Sequence, residues 1–253
     1  MIDGLKARIA ARVPLYGAFV PMPSSAVVEM CAHAGFDFVI LDREHGAAGT
    51  ETIEHHVRAA DAAGIPSIVR VPGRAPEHAL HALDAGANGI LMPHVIAPED
   101  AAAAVGAAHF PPRGIRGMST STRAGRHGLA SPAETLSRAG RETVVIGQVE
   151  DAAALPNVAG IARTPDLDAV FVGPADLSTS LGFPGQPGHP DVVAAVDRIR
   201  RDVESVGGPP LANFARNEAE AAELVRQGFT IVCFSSAAIL SRRLADLVAA
   251  LKR

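Results

Sequence analysis

A chain of 253 residues that is 48% hydrophobic can bury a substantial core, and its length suits one large domain or two small ones. A formal net charge of −4 lacks the basic footprint of a nucleic-acid binder, and two cysteines, Cys31 and Cys233, are too few for a disulfide framework or a cysteine zinc cluster. Of the 23 basic residues only Lys6 and Lys252 are lysine, one near each end, and neither position offers the desolvated pocket that Schiff-base chemistry needs.

The first stretch, MIDGLKARIAARVPLYG, alternates charge with small apolar residues and lacks the apolar centre of a signal peptide. No later run approaches a membrane span. A cytoplasmic protein with neither nucleic acid nor membrane as partner is expected.

Short apolar runs then predict strands at Tyr16 to Val20, Asp37 to Leu41, Ser67 to Val71, Gly89 to Met92, Val144 to Val149, Ala169 to Val172, Pro210 to Phe214 and Thr230 to Phe234. Several are apolar throughout, as strands buried on both faces should be. Alanine-rich amphipathic stretches separate them, at Ser24 to Ala34, Glu51 to Ala63, Glu77 to Asp84, Pro98 to Ala107, Asp191 to Val206 and Asn217 to Gln227. Pro76 and Pro98 stand at helix starts, and Gly35, Gly64, Gly86 and Gly228 follow helix ends. Eight strand–helix units in one chain, residues 1 to 253, predict an α/β fold, a single-domain (β/α)8 TIM barrel. A doubly wound sheet is the runner-up, but no glycine-rich dinucleotide fingerprint follows the first strand. One connection breaks the rhythm: Pro111 to Gly128 is rich in arginine and has no apolar period. Such a loop is a lid, a binding loop or a subunit contact, or else a solvated connection.

Polar residues at the carboxyl ends of barrel strands point at the active site. Those ends carry Asp42, Glu44 and His45 in LDREHG, Arg70 in SIVRVP, Gln148 and Glu150 in VIGQVE, and Asp176 in VFVGPAD. Glu150 and Asp176 follow adjacent strands, so two carboxylates converge as a hard divalent cation requires; alternatively each belongs to the start of a helical turn. His45 suits a general base oriented by Asp42 or Asp84, and the bland reading is a solvated ring. Arg70 interrupts an apolar strand and demands an anion, either a ligand carboxylate or Asp42 or Glu44. Phe19 and Phe214 wall a small pocket or simply pack the core. The pairs His55–His56 and His78–His81 read as solvated helix faces.

At these residues the chain resembles the HpcH/HpaI family of metal-dependent (class II) pyruvate aldolases. GFDFVILDREHG, IPSIVRVP, LDAGANGILMPHV, PPRGIRG, GQVED and VFVGPADLSTSLG occur in the family's order across nearly the whole chain. The resemblance implies a barrel that assembles as a homohexamer with its last helix exchanged between neighbours. It implies a divalent cofactor (Mg²⁺, Mn²⁺ or Co²⁺) held by Glu150 and Asp176, and Arg70 stabilising pyruvate and its enolate. His45 would be the base, supported by Asp42 and Asp84. Gln148 and the backbone of Gly173, Pro174 and Ala175 would position pyruvate, and Arg123 would grip an acidic acceptor or face a neighbouring subunit. The sequence departs from the pattern at Arg43, where a small residue is usual, at Phe19, and in VCFSSAAIL, which lacks a common aspartate.

The expected reaction is reversible cleavage of a 4-hydroxy-2-oxo acid to pyruvate, or hydroxypyruvate, plus an aldehyde. The small-molecule 2-oxo acid and aldehyde are the expected partners. A citramalyl- or malyl-CoA type lyase and a non-catalytic barrel that binds a metal or an acid are the alternatives.

Overall fold

The polypeptide alternates strand and helix from Leu15 onward, and the eight strands close on themselves. The computed structural model describes residues 4–252, so the first three residues and the last of the expected 1–253 domain lie outside the described residues. The strands are β1 (Leu15–Val20), β2 (Phe38–Asp42), β3 (Ser67–Arg70), β4 (Gly89–Met92), β5 (Val144–Val149), β6 (Ala169–Val172), β7 (Leu211–Phe214) and β8 (Ile231–Ser235). Each pairs in parallel with the next, and β8 pairs with β1, giving a closed (β/α)8 barrel. The helices are α1 (Leu5–Ala10), α2 (Ser25–His33), α3 (Thr50–Ala63), α4 (Pro76–Asp84), α5 (Pro98–Ala108), α6 (Pro132–Glu142), α7 (Val158–Ala162), α8 (Pro174–Ser180), α9 (Pro190–Ser205), α10 (Glu218–Arg226) and α11 (Ser236–Leu251).

The period of two along each strand divides its side chains between two cores. Leu15, Phe38, Ile40, Ile68, Leu91, Val144, Ile146, Phe171, Ile231 and Cys233 fill the barrel interior, and Leu5 and Ile9 of α1 pack with them. The alternate residues, among them Val39, Leu41, Val69, Ile90, Val145 and Val170, pack outward against the helices. Gly17 belongs to the inward row, where a Cβ would fall 2.9 Å from Cys233 Sγ and collide with the Phe38 ring, so a glycine there lets Phe38 occupy the barrel centre. Truncating Phe38, which is 1% exposed, should cost about 3–5 kcal/mol.

Two expectations are corrected here. His56 is buried, not solvated, because it shares the inner stripe of α3 with Ile53, Val57 and Ala60, and neither ring nitrogen has a hydrogen-bond partner. The arginine-rich segment runs from the end of α5 to the start of α6, and Arg116 and Arg123 tie it to Asp84 and the Ala85 carbonyl at the end of α4, so it lies at the amino-terminal end of the barrel, away from the mouth of its own chain.

Candidate active site

The inward rows that are apolar deep in the barrel turn polar at its carboxyl-terminal mouth. Phe38 and Ile40 are followed by Asp42, Ile68 by Arg70, and Val144 and Ile146 by Gln148 and then Glu150. Asp42 and Arg70 are opposite one another in the β2–β3 register. Their side chains meet there: Arg70 Nε donates to Asp42 Oδ1 at 2.9 Å and Nη2 to Oδ2 at 2.6 Å. Asp42 is 3% and Arg70 8% exposed, so this is a buried, bidentate pair. Arg70 Nη1 also lies 3.1 Å from Glu44 Oε2, and its guanidinium sits 5.1 Å from the Phe19 ring centre. The anion that Arg70 requires is therefore supplied inside the chain.

Asp42 Oδ1 additionally accepts the backbone N–H groups of Glu44 (3.0 Å) and His45 (3.3 Å), an Asx turn that ends the strand. Asp42 thus fixes the backbone of His45, not its ring. The His45 ring is largely exposed, with Nε2 3.9 Å from Glu44 Oε2. Asp84 does not reach His45 within one chain: it closes α4 at the far end of the barrel and accepts from Arg116 Nη2 at 2.8 Å. Arg123 lies at that same end, bonded to Asp61 and to the Ala85 carbonyl, away from the mouth of its own chain.

Glu150, one residue beyond β5, is 1% exposed. Its Oε1 accepts the backbone N–H of His94 at 3.1 Å, and its Oε2 accepts from Gln148 Nε2. Burial pushes the Glu150 carboxyl up to about 7, with repulsion from Asp176 and Glu44 adding to it and His94 opposing it. Asp176 stands in the first turn of α8, half-buried. Gly173, just before that helix, carries no side chain for a reason: a Cβ would fall 2.6 Å from Glu150 Oε2 and 3.0 Å from Gln148 Nε2. Gln148 is 3% exposed and its Oε1 has no partner.

A buried carboxylate facing two more acids, beside an orphaned amide oxygen, fits a divalent cation with oxygen ligands. Glu44, His94 and Glu150 form a group able to hold such an ion, each offering one ligand atom within 4.8 Å of the others. His94, two residues beyond β4, is absent from the residues expected at the mouth, although a polar side chain just past a strand's carboxyl end is the same signal that marks Glu150.

Phe19 is a packing residue, 7% exposed and edge-on to Phe171 at 5.7 Å. Phe214, Pro174 and Ala175 also line the upper end of a cavity of about 780 Å³ that runs down the barrel's flank between α9 and α10, bounded by Val193, Leu224 and Phe229. Phe214 also packs against the interior cluster, its ring centre 6.0 Å from that of Phe19, in keeping with the expected core packing.

A parallel barrel with acidic, cation-compatible chemistry at its carboxyl-terminal mouth defines a class of barrel enzymes. The chain belongs within it to the HpcH/HpaI aldolase/citrate lyase family, whose sequence model matches residues 15–240. It is 39% identical over 192 residues to the hydroxypyruvate/pyruvate aldolase of Sagittula stellata, covering 76% of this chain and 75% of that one. To the pyruvate aldolase of Rhizobium etli it is 35% identical over 208 residues, covering 82% and 81%. A crystal structure of an HpcH/HpaI aldolase/citrate lyase family protein from Burkholderia cenocepacia J2315 superposes with a TM-score of 0.91 at 35% identity, covering 98% and 99%. Among the described residues no helix is long and apolar enough to cross a membrane.

Proposed function

We propose that this chain is a divalent-metal-dependent aldolase that cleaves 4-hydroxy-2-oxo acids reversibly to pyruvate, or hydroxypyruvate, and an aldehyde. The observation that carries this reading is Glu150, buried to 1% exposure at the barrel mouth among Asp176, Glu44 and Gln148 with the Arg70 charge nearby. The relatives named as pyruvate and hydroxypyruvate/pyruvate aldolases supply the substrate class.

Glu150 and Asp176 would hold the divalent ion, which when bound offers a Lewis-acid charge to the 2-oxo acid's carboxylate and keto oxygens. Gln148 and the backbone of Gly173, Pro174 and Ala175 border that position and orient the 2-oxo acid. His45, exposed at the rim, takes the proton from the 4-hydroxyl. The electrons of the C3–C4 bond pass into the enolate, the aldehyde departs, and a proton returned to C3 gives pyruvate. Arg70, locked by Asp42, contributes a fixed positive charge near the enolate oxygen at no reorganisation cost.

The reading includes a homohexamer that exchanges α11. Its support is that α11 buries none of its residues and presents Ile239, Leu240, Leu244, Leu247 and Val248 at 47–55% exposure, an apolar stripe that water disfavours.

The direct test offers chelator-stripped protein a panel of 4-hydroxy-2-oxo acids and reads pyruvate release through lactate dehydrogenase, before and after Mg²⁺, Mn²⁺ or Co²⁺ is restored. Metal-dependent release is expected. Cleavage of malyl-CoA but of no hydroxy-oxo acid would contradict the reading in favour of a thioester lyase, and tight metal binding with no cleavage would favour a non-catalytic barrel.

A further inference from the structure

A cavity of about 520 Å³ lies at the barrel's amino-terminal end, opposite the mouth, where the segment after α5 folds against α6. Asn88 and Thr143, which immediately precede β4 and β5, form part of its wall. Arg116, Arg123, Arg126 and Arg138 also line it, with the acids Asp61 and Glu142. Arg123 is already engaged with Asp61 and the Ala85 carbonyl, and Arg116 is paired with Asp84. That leaves Arg126 and Arg138 against Glu142, so the wall carries net positive charge.

Arg116 is 6% exposed, with its guanidinium 4.6 Å from the Phe110 ring centre. A guanidinium has five N–H donors. Among the described residues the Arg116 hydrogen bond is the one from Nη2 to Asp84 Oδ1 at 2.8 Å, and the buried Nε has no partner. A buried cation with so few acceptors is only partly compensated. Burial lowers the Arg116 pKa below its ordinary value, the bond to Asp84 opposes this, and the charge of Arg138 adds to the lowering. Two guanidinium groups therefore face one cavity closely enough to repel.

Arg138, on α6, donates to a neutral group, the Ala124 carbonyl. Arg126 reaches the cavity from a third element, the short turn Arg126–Gly128, and is exposed. It and His127 both hold a left-handed backbone, with φ of 52° and 54°, which residues other than glycine seldom adopt. Glu134, whose charge both Arg126 and Arg138 favour, is held in the cap of α6 by the Ser131 N–H.

We propose that this cavity is a binding site for a phosphate-bearing anion, gripped by Arg116, Arg126 and Arg138. A phosphate group presents several acceptor oxygens that do not share a plane, so arginines arriving from three elements can each donate to it, whereas a carboxylate offers two oxygens in one plane. The cavity is larger than a bare phosphate needs, and a phosphate monoester fits that shape. The site goes beyond the aldolase reading and does not rest on it.

The test titrates inorganic phosphate and glycerol 3-phosphate into chelator-stripped native protein by calorimetry, with succinate as the carboxylate probe and melting curves alongside. Saturable phosphate binding that raises the melting temperature is expected, with succinate binding more weakly. Arg126→Gln changes an exposed side chain and so guards against a folding artefact. It and Arg138→Gln should each weaken phosphate binding about tenfold or more, as loss of a charge-assisted hydrogen bond does. Arg138→Lys keeps the charge without the fork and should fall between. No saturable binding of phosphate or its ester overturns the proposal, as does binding that both Arg→Gln variants leave unchanged, whatever the outcome of the aldolase assay. Succinate binding more tightly than phosphate overturns the assignment to a phosphate group.

Discussion

Glu150 concentrates the conflict between burial and charge at this site. Removing its charge relieves repulsion among the acids, so Glu150→Gln should keep or raise thermal stability while abolishing divalent-metal binding, measured by calorimetric titration alongside a melting curve. Arg70 behaves oppositely. Arg70→Ala leaves Asp42 buried without a counter-charge and should cost about 3–5 kcal/mol in a urea titration. Elsewhere, burial with help from Arg113 and Lys6 holds the imidazole of His109 down to about 4, and burial also lowers His56. A depressed folded-state pKa means that the unfolded chain takes up protons first. The stabilisation is complete above the ordinary histidine value of 6.5 and lost as pH falls from there toward 4. Stability should therefore drop as pH falls from about 6.5 to about 4, and His109→Gln should flatten that drop; an unchanged slope in the variant would remove His109 as its source.

At the scale of elements, the strands were the most legible part of the sequence. Runs such as VVIGQV and AVFV are apolar throughout because each is buried on both faces, and their limits match the expected ones. Helix α6 is not among the expected helices, although Ser131 and Glu134 spell a capping box that the structure closes with bonds of 3.2 and 2.9 Å. The mouth residues Asp42, Arg70, Gln148 and Glu150 were legible because strand ends order them. Asp84 and Arg123 lie where the chain returns to the barrel's amino-terminal end, so neither reaches the mouth of its own chain, and their type alone does not say which end they serve, or whether Arg123 faces a neighbouring subunit. Gly173 links element to chemistry. Its φ of −99° suits any residue, but the methyl added by Gly173→Ala would fall 2.6 Å from Glu150 Oε2 and 2.8 Å from Glu150 Cβ, so it should displace the Glu150 side chain at some cost in stability while the barrel still folds. A metal affinity reduced about tenfold or more, with an ordinary circular dichroism spectrum, is the expected result.

For the whole molecule, the exposed stripe of α11 and the apolar flank between α9 and α10 are the surfaces on which the proposed hexamer rests. Light scattering should report about six times the 26.1 kDa chain mass, and Leu244→Asp should lower it. An assembly is not legible in one chain's pattern, because an amphipathic helix looks the same whether it covers its own barrel or a neighbour's. The central claim concerns chemistry at one mouth, and it is tested without any choice of aldehyde. Chelator-stripped protein is incubated with pyruvate in D₂O, and the methyl proton signal is followed by NMR with and without Mg²⁺ or Mn²⁺. The account predicts metal-dependent loss of the signal, slowed about 10²- to 10⁴-fold in His45→Ala and absent in Glu150→Gln. No exchange of pyruvate or of hydroxypyruvate protons with any divalent metal would contradict it.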